Sequence, residues 1–320
     1  MLKAIFSVLI SSLIIFNAAG QNKDDTFFLI PFGYNFMLIG EQTMHQPALG
    51  AGFLSGEQNL PFNEIDRRVL ALALYQPLIF NTEPYSDVPE HLHTIDALID
   101  GRINRHQLLL IFKSSSDEPI VGGLGTFQAG IAWGYEFIRR PHVSLILGAA
   151  LAVSDFGLSL PSGAVWPLLP LPLVRFNVNT EWFSSSFDFL TGPNLSFTIA
   201  PKERFRFTAD MRMDNYRSVN DLIYEYILWY RFFTEDHRLG DFAGIGFGIK
   251  NDSMDFFISQ NSTTFEVQQS SVVAVIDLSL FRIESGWIYN SRYMINGKVI
   301  TNFGSGFFVS IQGIIPIRKN

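Results

Sequence analysis

The sequence lacks cysteine, an excess of basic residues and, after its first 20 residues, any stretch suited to a membrane-spanning helix. Without cysteine the protein can form neither disulfide bonds nor cysteine metal sites. Its 23 basic and 30 acidic residues give a net charge of −7, which argues against a nucleic-acid partner. The uncharged residues 119–135 contain five glycines and residues 156–174 contain four prolines, so neither stretch suits a helix interior.

The first 20 residues have the pattern of a secretory signal peptide. Lys3 supplies the positive charge, residues 4–16 are largely apolar, and Ala18-Ala19-Gly20 offers small residues for cleavage. The apolar run is shorter than the ~20 residues that a spanning helix needs. We therefore predict a signal peptide at residues 1–20 and a single barrel domain at residues 21–320.

Strict alternation of apolar and polar residues is what the sequence does have. It is clearest in residues 204–213, which read Arg204-Phe205-Arg206-Phe207-Thr208-Ala209-Asp210-Met211-Arg212-Met213. Successive side chains of a strand point to opposite faces, so this segment has one apolar face and one charged face. Many such strands in an exported chain predict an all-β fold, an antiparallel up-and-down transmembrane β-barrel of about 12 strands in the bacterial outer membrane. A hydrophobic content of 48% with 31 phenylalanines suits a protein that is apolar on its outside.

Three local patterns refine this prediction. Residues 125–137 and 143–153 alternate as a strand pair, and their apolar faces coincide if the connection near Arg139 is a short turn with a bulge. Asn296-Gly297 predicts a type I′ hairpin. Residues 89–100 have a capping acid before them and apolar residues at helical spacing, which predicts one short amphipathic helix within a connection.

One set of residues could support nucleophilic catalysis. With an odd-length turn, Glu136 would lie opposite His142, and Ser144 would share their face, so that an acid, an imidazole and a hydroxyl come together. The His-x-Ser spacing resembles that of outer-membrane phospholipases and lipid A deacylases, although no Asn-Gly follows the serine here. Ordinary hydrogen bonding in the lumen is the simpler interpretation, so we predict no catalytic centre.

Charged residues on the polar strand faces are the candidate lumen residues, namely Arg175, Arg204, Arg206, Asp210 and Arg212. They could form an anion-preferring constriction. They could equally form a ladder of salt bridges with acids on other strands. His91 and His93 would diverge on the predicted helix, so we predict neither a metal site nor a cofactor.

Several segments resemble an uncharacterised family of bacterial outer-membrane β-barrel proteins. They are the element at residues 89–100, the Phe/Arg alternation of residues 204–213, Ala152-Val153-Ser154-Asp155-Phe156-Gly157, Pro167-Leu168-Leu169-Pro170-Leu171-Pro172 and Thr191-Gly192-Pro193. The resemblance implies a Gram-negative outer-membrane barrel, with membrane lipid and the barrel-insertion machinery as partners and an oligomeric state left open.

The predicted function is that of a pore, a transport protein or a surface-structural protein. Two alternatives are kept: a lipid-acting acyl hydrolase using Glu136, His142 and Ser144, and a soluble periplasmic β-barrel binding protein.

Overall fold

A computed structural model gives the fold of most of the chain. It describes residues 26–55, 67–82, 88–120, 126–159, 165–189, 193–213, 222–232, 243–260, 262–278, 280–302 and 304–318. The predicted signal peptide at residues 1–20 and the Thr191-Gly192 part of the family resemblance lie outside these ranges, so the division at residue 20 stays a prediction.

The described residues form seventeen β-strands. These are β1 (Phe27–Ile39), β2 (Gln42–Leu54), β3 (Arg67–Phe80), β4 (His91–Ile103), β5 (His106–Ser116), β6 (Phe127–Arg140), β7 (Val143–Ser159), β8 (Val165–Asn179), β9 (Phe183–Phe189), β10 (Pro193–Ile199), β11 (Phe205–Met213), β12 (Leu222–Arg231), β13 (Ala243–Ile258), β14 (Thr263–Leu278), β15 (Phe281–Ile295), β16 (Lys298–Asn302) and β17 (Gly306–Arg318).

Sixteen of these strands close into an antiparallel barrel. Each strand from β1 to β15 pairs with the next one in the chain, β15 pairs with β17, and β17 returns to β1 through a register that joins Phe28 to Ile317. Strand β16 extends the end of β15 as a small hairpin. We call the end at which β1 begins and β17 finishes the proximal end, and the opposite end the distal end. Closure pairs the backbone of every wall strand on both sides, as a barrel in lipid requires.

The expected strand number of about 12 is wrong, because the wall has sixteen strands. Most of the strands overlooked lie between β1 and β5, where lumen-facing positions are themselves apolar. On β3 four of the five lumen-facing positions are leucines, Leu70, Leu72, Leu74 and Leu78, and the fifth is Gln76; all five are buried. A strand with apolar residues on both faces does not alternate, so its sequence does not reveal its period.

The helix predicted at residues 89–100 is also wrong. This segment belongs to strand β4, which pairs along its length with β3 and β5. Its lumen-facing Leu92 and Leu98 and its outward-facing Ile95 and Ile99 together imitate the 3.6-residue spacing of a helix. The described residues include no helix long and apolar enough to cross a membrane.

The two faces of the wall differ as the alternating pattern predicts. Large apolar side chains stand exposed on the outer face, among them Phe205, Phe247 and Leu49, each more than 60% exposed. On β11, Arg206 turns inward and lies over the ring of Trp229, with 5.3 Å from the guanidinium carbon to the ring centre. Phe207 turns outward and contacts Phe197.

Glycines on β13 let bulky residues face the lumen. A Cβ atom added at Gly246 would lie 2.6 Å from Cγ2 of Ile227 and 2.9 Å from the Trp229 ring. The ring of Trp229, only 4% exposed, therefore occupies the space that a side chain at position 246 would fill. Trp229 and Tyr293 are buried inside the barrel.

The predicted turn at Asn296-Gly297 agrees with the structure, and the predicted turn between β6 and β7 agrees in part. Asn296 and Gly297 join β15 to β16 with φ angles of 51° and 74°, the left-handed values of a type I′ turn. Between β6 and β7 a bulge does occur, at Phe137, but the turn itself is Pro141-His142 and the strands continue to it.

Substitution of Phe207 by Arg should destabilise the folded barrel by about 2–4 kcal/mol, because it places a charge on the lipid-facing side. The neighbouring substitution Thr208→Ala is the matched control. It removes one methyl group and a lumen hydroxyl, which accepts a hydrogen bond from Trp229 Nε1 at 2.9 Å that is worth about 1 kcal/mol. Urea unfolding of both variants in phospholipid vesicles compares the two costs, and equal losses would contradict the assignment of the faces.

Candidate functional site

The lumen has an apolar sector that fills most of the proximal half along β1 to β8. Leu29, Leu72, Leu98, Leu109 and Leu173 are all less than 10% exposed and belong to one packed cluster there. The remaining members are Phe27, Ala48, Leu54, Leu70, Leu74, Ala132, Ile146, Ala150 and Ile314. This proximal apolar cluster leaves little room for water beside these strands.

A second apolar cluster occupies the distal end on the β1 to β4 side and continues along β12 to β15. Met37, Met44, Leu78 and Leu92 contribute from the wall. Phe256, Ile258, Phe265 and Val267 contribute from the outer ends of β13 and β14. We call this the distal apolar cluster.

Polar residues form a continuous row around the rest of the lumen. In the strand registers, directly opposed residues link β8 to β14 in the order Asn177, Ser186, Ser196, Asp210, Glu225, Lys250 and Ser271. The Ser196 hydroxyl donates a short hydrogen bond to Asp210. This polar row crosses seven strands, so one side of the lumen is hydrophilic while the other is apolar.

Buried ion pairs hold part of the polar row in place. Lys250 Nζ lies 2.7 Å from Glu284 Oε2, and Arg282 Nε lies 2.6 Å from the other Glu284 oxygen. Arg282 also reaches Glu225 at 2.8 Å. The side chains of Arg282 and Glu284 are 6% and 2% exposed, so each depends on its partner for compensation of its charge. Sequence reasoning missed this network, although Lys250 continues the series of inward-facing glycines on β13.

The predicted lumen residues divide into four that face the lumen and one that does not. Arg175 binds Asp188 at 2.6 Å and approaches Asp100 at 4.0 Å. These ion pairs correspond to the predicted ladder of salt bridges rather than to an anion-binding constriction. Arg206, Asp210 and Arg212 share the inner face of β11. Arg204 lies in the exposed turn before β11 and takes no place in the ladder.

A small cavity of about 40 Å³ adjoins the polar row. Asn35, Glu225, Lys250, Gln269, Ser310 and Gln312 contribute to its lining. Its wall therefore combines the charged side chains of Glu225, Lys250 and Asp252 with amides and hydroxyls, which suits water and small polar solutes.

The three residues considered for catalysis do not come together. Glu136 lies opposite Ile146 and binds Arg139 at 2.5 Å, so the predicted register that placed it opposite His142 is wrong. His142 is in the turn, where its Nδ1 lies 2.9 Å from the carbonyl oxygen of Asn179. Ser144 accepts a hydrogen bond of 3.0 Å from Asn177. Each of the three thus has a different partner.

His91 and His93 share the outer face of β4. The Nδ1 atom of His93 lies 2.8 Å from the hydroxyl of Tyr75, whose ring stacks on the imidazole. Among the described residues no group of three His, Asp or Glu side chains is placed to hold a metal ion.

Comparison with known proteins finds similar solved structures but no matching family model and no matching curated protein. OccAB4 of Acinetobacter baumannii is 11% identical, with a TM-score of 0.37 over 93% of this chain and 100% of that chain. The outer membrane protein OprD of Pseudomonas aeruginosa is 8% identical, with a TM-score of 0.40 over 94% and 97%. OccK7 (OpdD) of Pseudomonas aeruginosa is 8% identical, with a TM-score of 0.33 over 92% and 99%. Similarity at this level assigns neither a family nor a substrate.

The location of the protein follows from its own outer surface. A closed barrel of an even number of strands with an apolar exterior is the form in which single chains cross the bacterial outer membrane. The predicted outer-membrane β-barrel is therefore confirmed.

Replacement of Glu284 by Gln should destabilise the barrel by up to about 3–5 kcal/mol, because the buried Lys250 and Arg282 would both lose their shared carboxylate. Asp252, 3.9 Å from Lys250, and Glu225, 2.8 Å from Arg282, would remain. Glu203→Gln, in the exposed turn after β10, is the control and should change the unfolding free energy by less than about 1 kcal/mol. Denaturant unfolding in vesicles measures both. Similar small effects would show that the network contributes little.

Proposed function

We propose that the protein is a passive pore that carries small polar solutes across the outer membrane through the hydrophilic side of its lumen. The observation that carries this proposal is the accessibility of the inner face of β9 to β11. Ser184, Ser186, Asn194 and Thr198 are partly exposed to solvent there, whereas the inner face of β3 is buried. Water thus has a route beside short polar side chains.

The charge pattern supports passage of small solutes without strong preference for one sign. Arg175 is neutralised by Asp188, Lys250 on β13 by Glu284 on β15, and Arg282 on β15 by Glu225 on β12. A lumen whose fixed charges cancel has a weak net field, so ion selectivity should be modest.

The alternative functions receive less support. The separate partners of Glu136, His142 and Ser144 give no basis for an acyl hydrolase. The apolar outer belt disfavours a soluble periplasmic binding protein, because such a surface would aggregate in water. The absence of catalysis stays a prediction.

A tryptophan in the proposed route should obstruct it. Ser186→Trp, on the inner face of β9, should lower the single-channel conductance by roughly half, since pore width governs conduction. Ser185→Trp places the same residue on the outer face of the same strand and should leave the conductance unchanged. Planar bilayers containing refolded protein provide the measurement.

The comparison separates three results. Conductance lowered by Ser186→Trp alone supports the route beside β9. If neither substitution changes the conductance, the solutes do not pass beside β9. A wild-type barrel that is folded, as judged by heat-modifiable migration on gels, but does not conduct would contradict the pore.

A further inference from the structure

The hairpin formed by β13 and β14 does not stay in the barrel wall over its whole length. A bulge between Ser270 and Ser271 interrupts the register of β14 against β15. Beyond it, the five consecutive residues 265–269 are all buried, although a wall strand would expose every second side chain to lipid. The outer part of the hairpin has therefore left the lipid-facing wall and lies over the distal end of the lumen.

One face of this hairpin tip packs on the wall strands across the lumen. Phe256, Ile258, Phe265 and Val267 are each 2% exposed or less and join the distal apolar cluster with residues of β1 to β4. The ring of Phe80 meets that of Phe265 edge to face, with 6.3 Å between centres. The hairpin tip thus covers the part of the lumen next to β1 to β4, and it is held there by apolar contacts.

The end of the tip is held by polar contacts to β5 and the residue after it. Asp117 Oδ1 accepts hydrogen bonds from both the backbone nitrogen and the hydroxyl of Ser259, each 2.8 Å long. The Ser115 hydroxyl donates to the carbonyl oxygen of Asp255 at 2.7 Å, and Phe257 pairs with Ser116 in parallel register. We call these contacts the latch.

Asp117 is the centre of the latch because one of its oxygens collects four donors. Ser116 and Glu118 donate to it in addition to the two groups of Ser259. Partial burial by itself raises the pKa of this carboxyl group, but the hydrogen bonds outweigh burial and hold the pKa below its usual value. The group is therefore ionised at neutral pH, and its hydrogen bonds are charge-assisted.

The latch changes the circumference of the distal mouth. Strands β5 and β13 are eight places apart in the sixteen-stranded wall, yet they meet through Ser116 and Phe257. Their contact closes a smaller ring made of β5 to β13, nine strands in all. The polar row from Asn177 on β8 to Lys250 on β13 lies on the wall of this smaller ring, and the part of the apolar sector on β1 to β4 lies outside it.

We propose that the hairpin tip, fixed by Asp117 and Ser259, is the element that sets the size limit for solutes at the distal mouth. The inference rests on the proposed pore function and adds its size-determining element. Without the latch, the tip keeps its apolar contacts with β1 to β4 but loses its polar contacts with β5, so the mouth widens towards the full barrel. Barrel diameter grows about linearly with strand number, so the cross-section can rise by at most about threefold.

A reversible covalent latch tests this directly, because the natural chain has no cysteine. In the double variant Asp117→Cys/Ser259→Cys, oxidation replaces the hydrogen bonds by a disulfide, and reduction leaves the tip without a latch. We expect the oxidised barrel to conduct like the wild type. The reduced barrel should show a higher single-channel conductance, by up to about threefold, and should admit larger sugars in liposome swelling.

Single substitutions provide an independent test in case the double variant misfolds. Asp117→Ala should widen the mouth as reduction does, whereas Asp117→Asn keeps an acceptor oxygen for Ser259 and should stay close to the wild type. Glu118→Ala is the control for the same loop, because the backbone nitrogen rather than the side chain of Glu118 contacts Asp117. Heat-modifiable migration verifies that each barrel is folded.

The outcomes distinguish the two proposals. A wild type that conducts, with oxidised, reduced and Asp117→Ala barrels all equal to it, would overturn the size-limiting role and leave the pore intact. Conductance that appears or rises only when the latch is broken supports both proposals. Folded barrels that never conduct, latched or not, would overturn the pore and the size limit together.

Discussion

Backbone hydrogen bonding in lipid is the constraint on which this structure depends. A chain in the hydrocarbon region has no water to satisfy its amide groups, so every wall strand must find a partner on both sides, and the sheet must close. The pairing of β1 with β17 completes that closure. Once the ring is closed, the outer face is restricted to apolar residues by the lipid. The inner face is free of that restriction and can differ from one sector to another.

The protein uses that freedom unevenly. On β1 to β8 a cluster of inner-face apolar residues packs as an ordinary soluble core does, interrupted by buried polar residues such as Gln76, Asp96 and Gln107. On β8 to β13 the inner face carries opposed charges and small polar residues, and the acids and bases compensate one another across strands. The outer face of the barrel is therefore suited to lipid. One side of its inner face packs like a protein core, and the other side is suited to contact with water. Its usable passage is much narrower than its sixteen strands would allow.

The same division explains how far the sequence could be interpreted. Strands β6, β7, β11 and β13 were identified because small or polar residues face the lumen and apolar ones face lipid, so their period of two is visible. The same alternation predicts the polar face of Arg175, Arg206, Asp210 and Arg212, and in the structure Arg175 contacts Asp188 and Arg206 lies over Trp229. Strands of the apolar sector gave no such signal, and β4 even imitated a helix because Leu92 and Ile95 lie on opposite apolar faces.

Other errors have equally specific causes. Arg204 was placed with the lumen residues because the alternation continues through the turn, although the strand begins only at Phe205. The register of Glu136 was misjudged because a bulge and a two-residue turn were treated as one odd-length turn. The contact between Asp117 and Ser259 joins residues 142 apart in the chain, and nothing in the local pattern of either segment indicates it.

That long separation also bears on how the barrel assembles. Apart from β1 with β17, the neighbouring wall strands join segments close in sequence, whereas the contact between β5 and β13 must close a loop of more than a hundred residues. It requires the intervening strands to be in place, because they bring the two elements to opposite sides of one ring. The nine-stranded mouth can therefore form only after β5 to β13 have paired with one another.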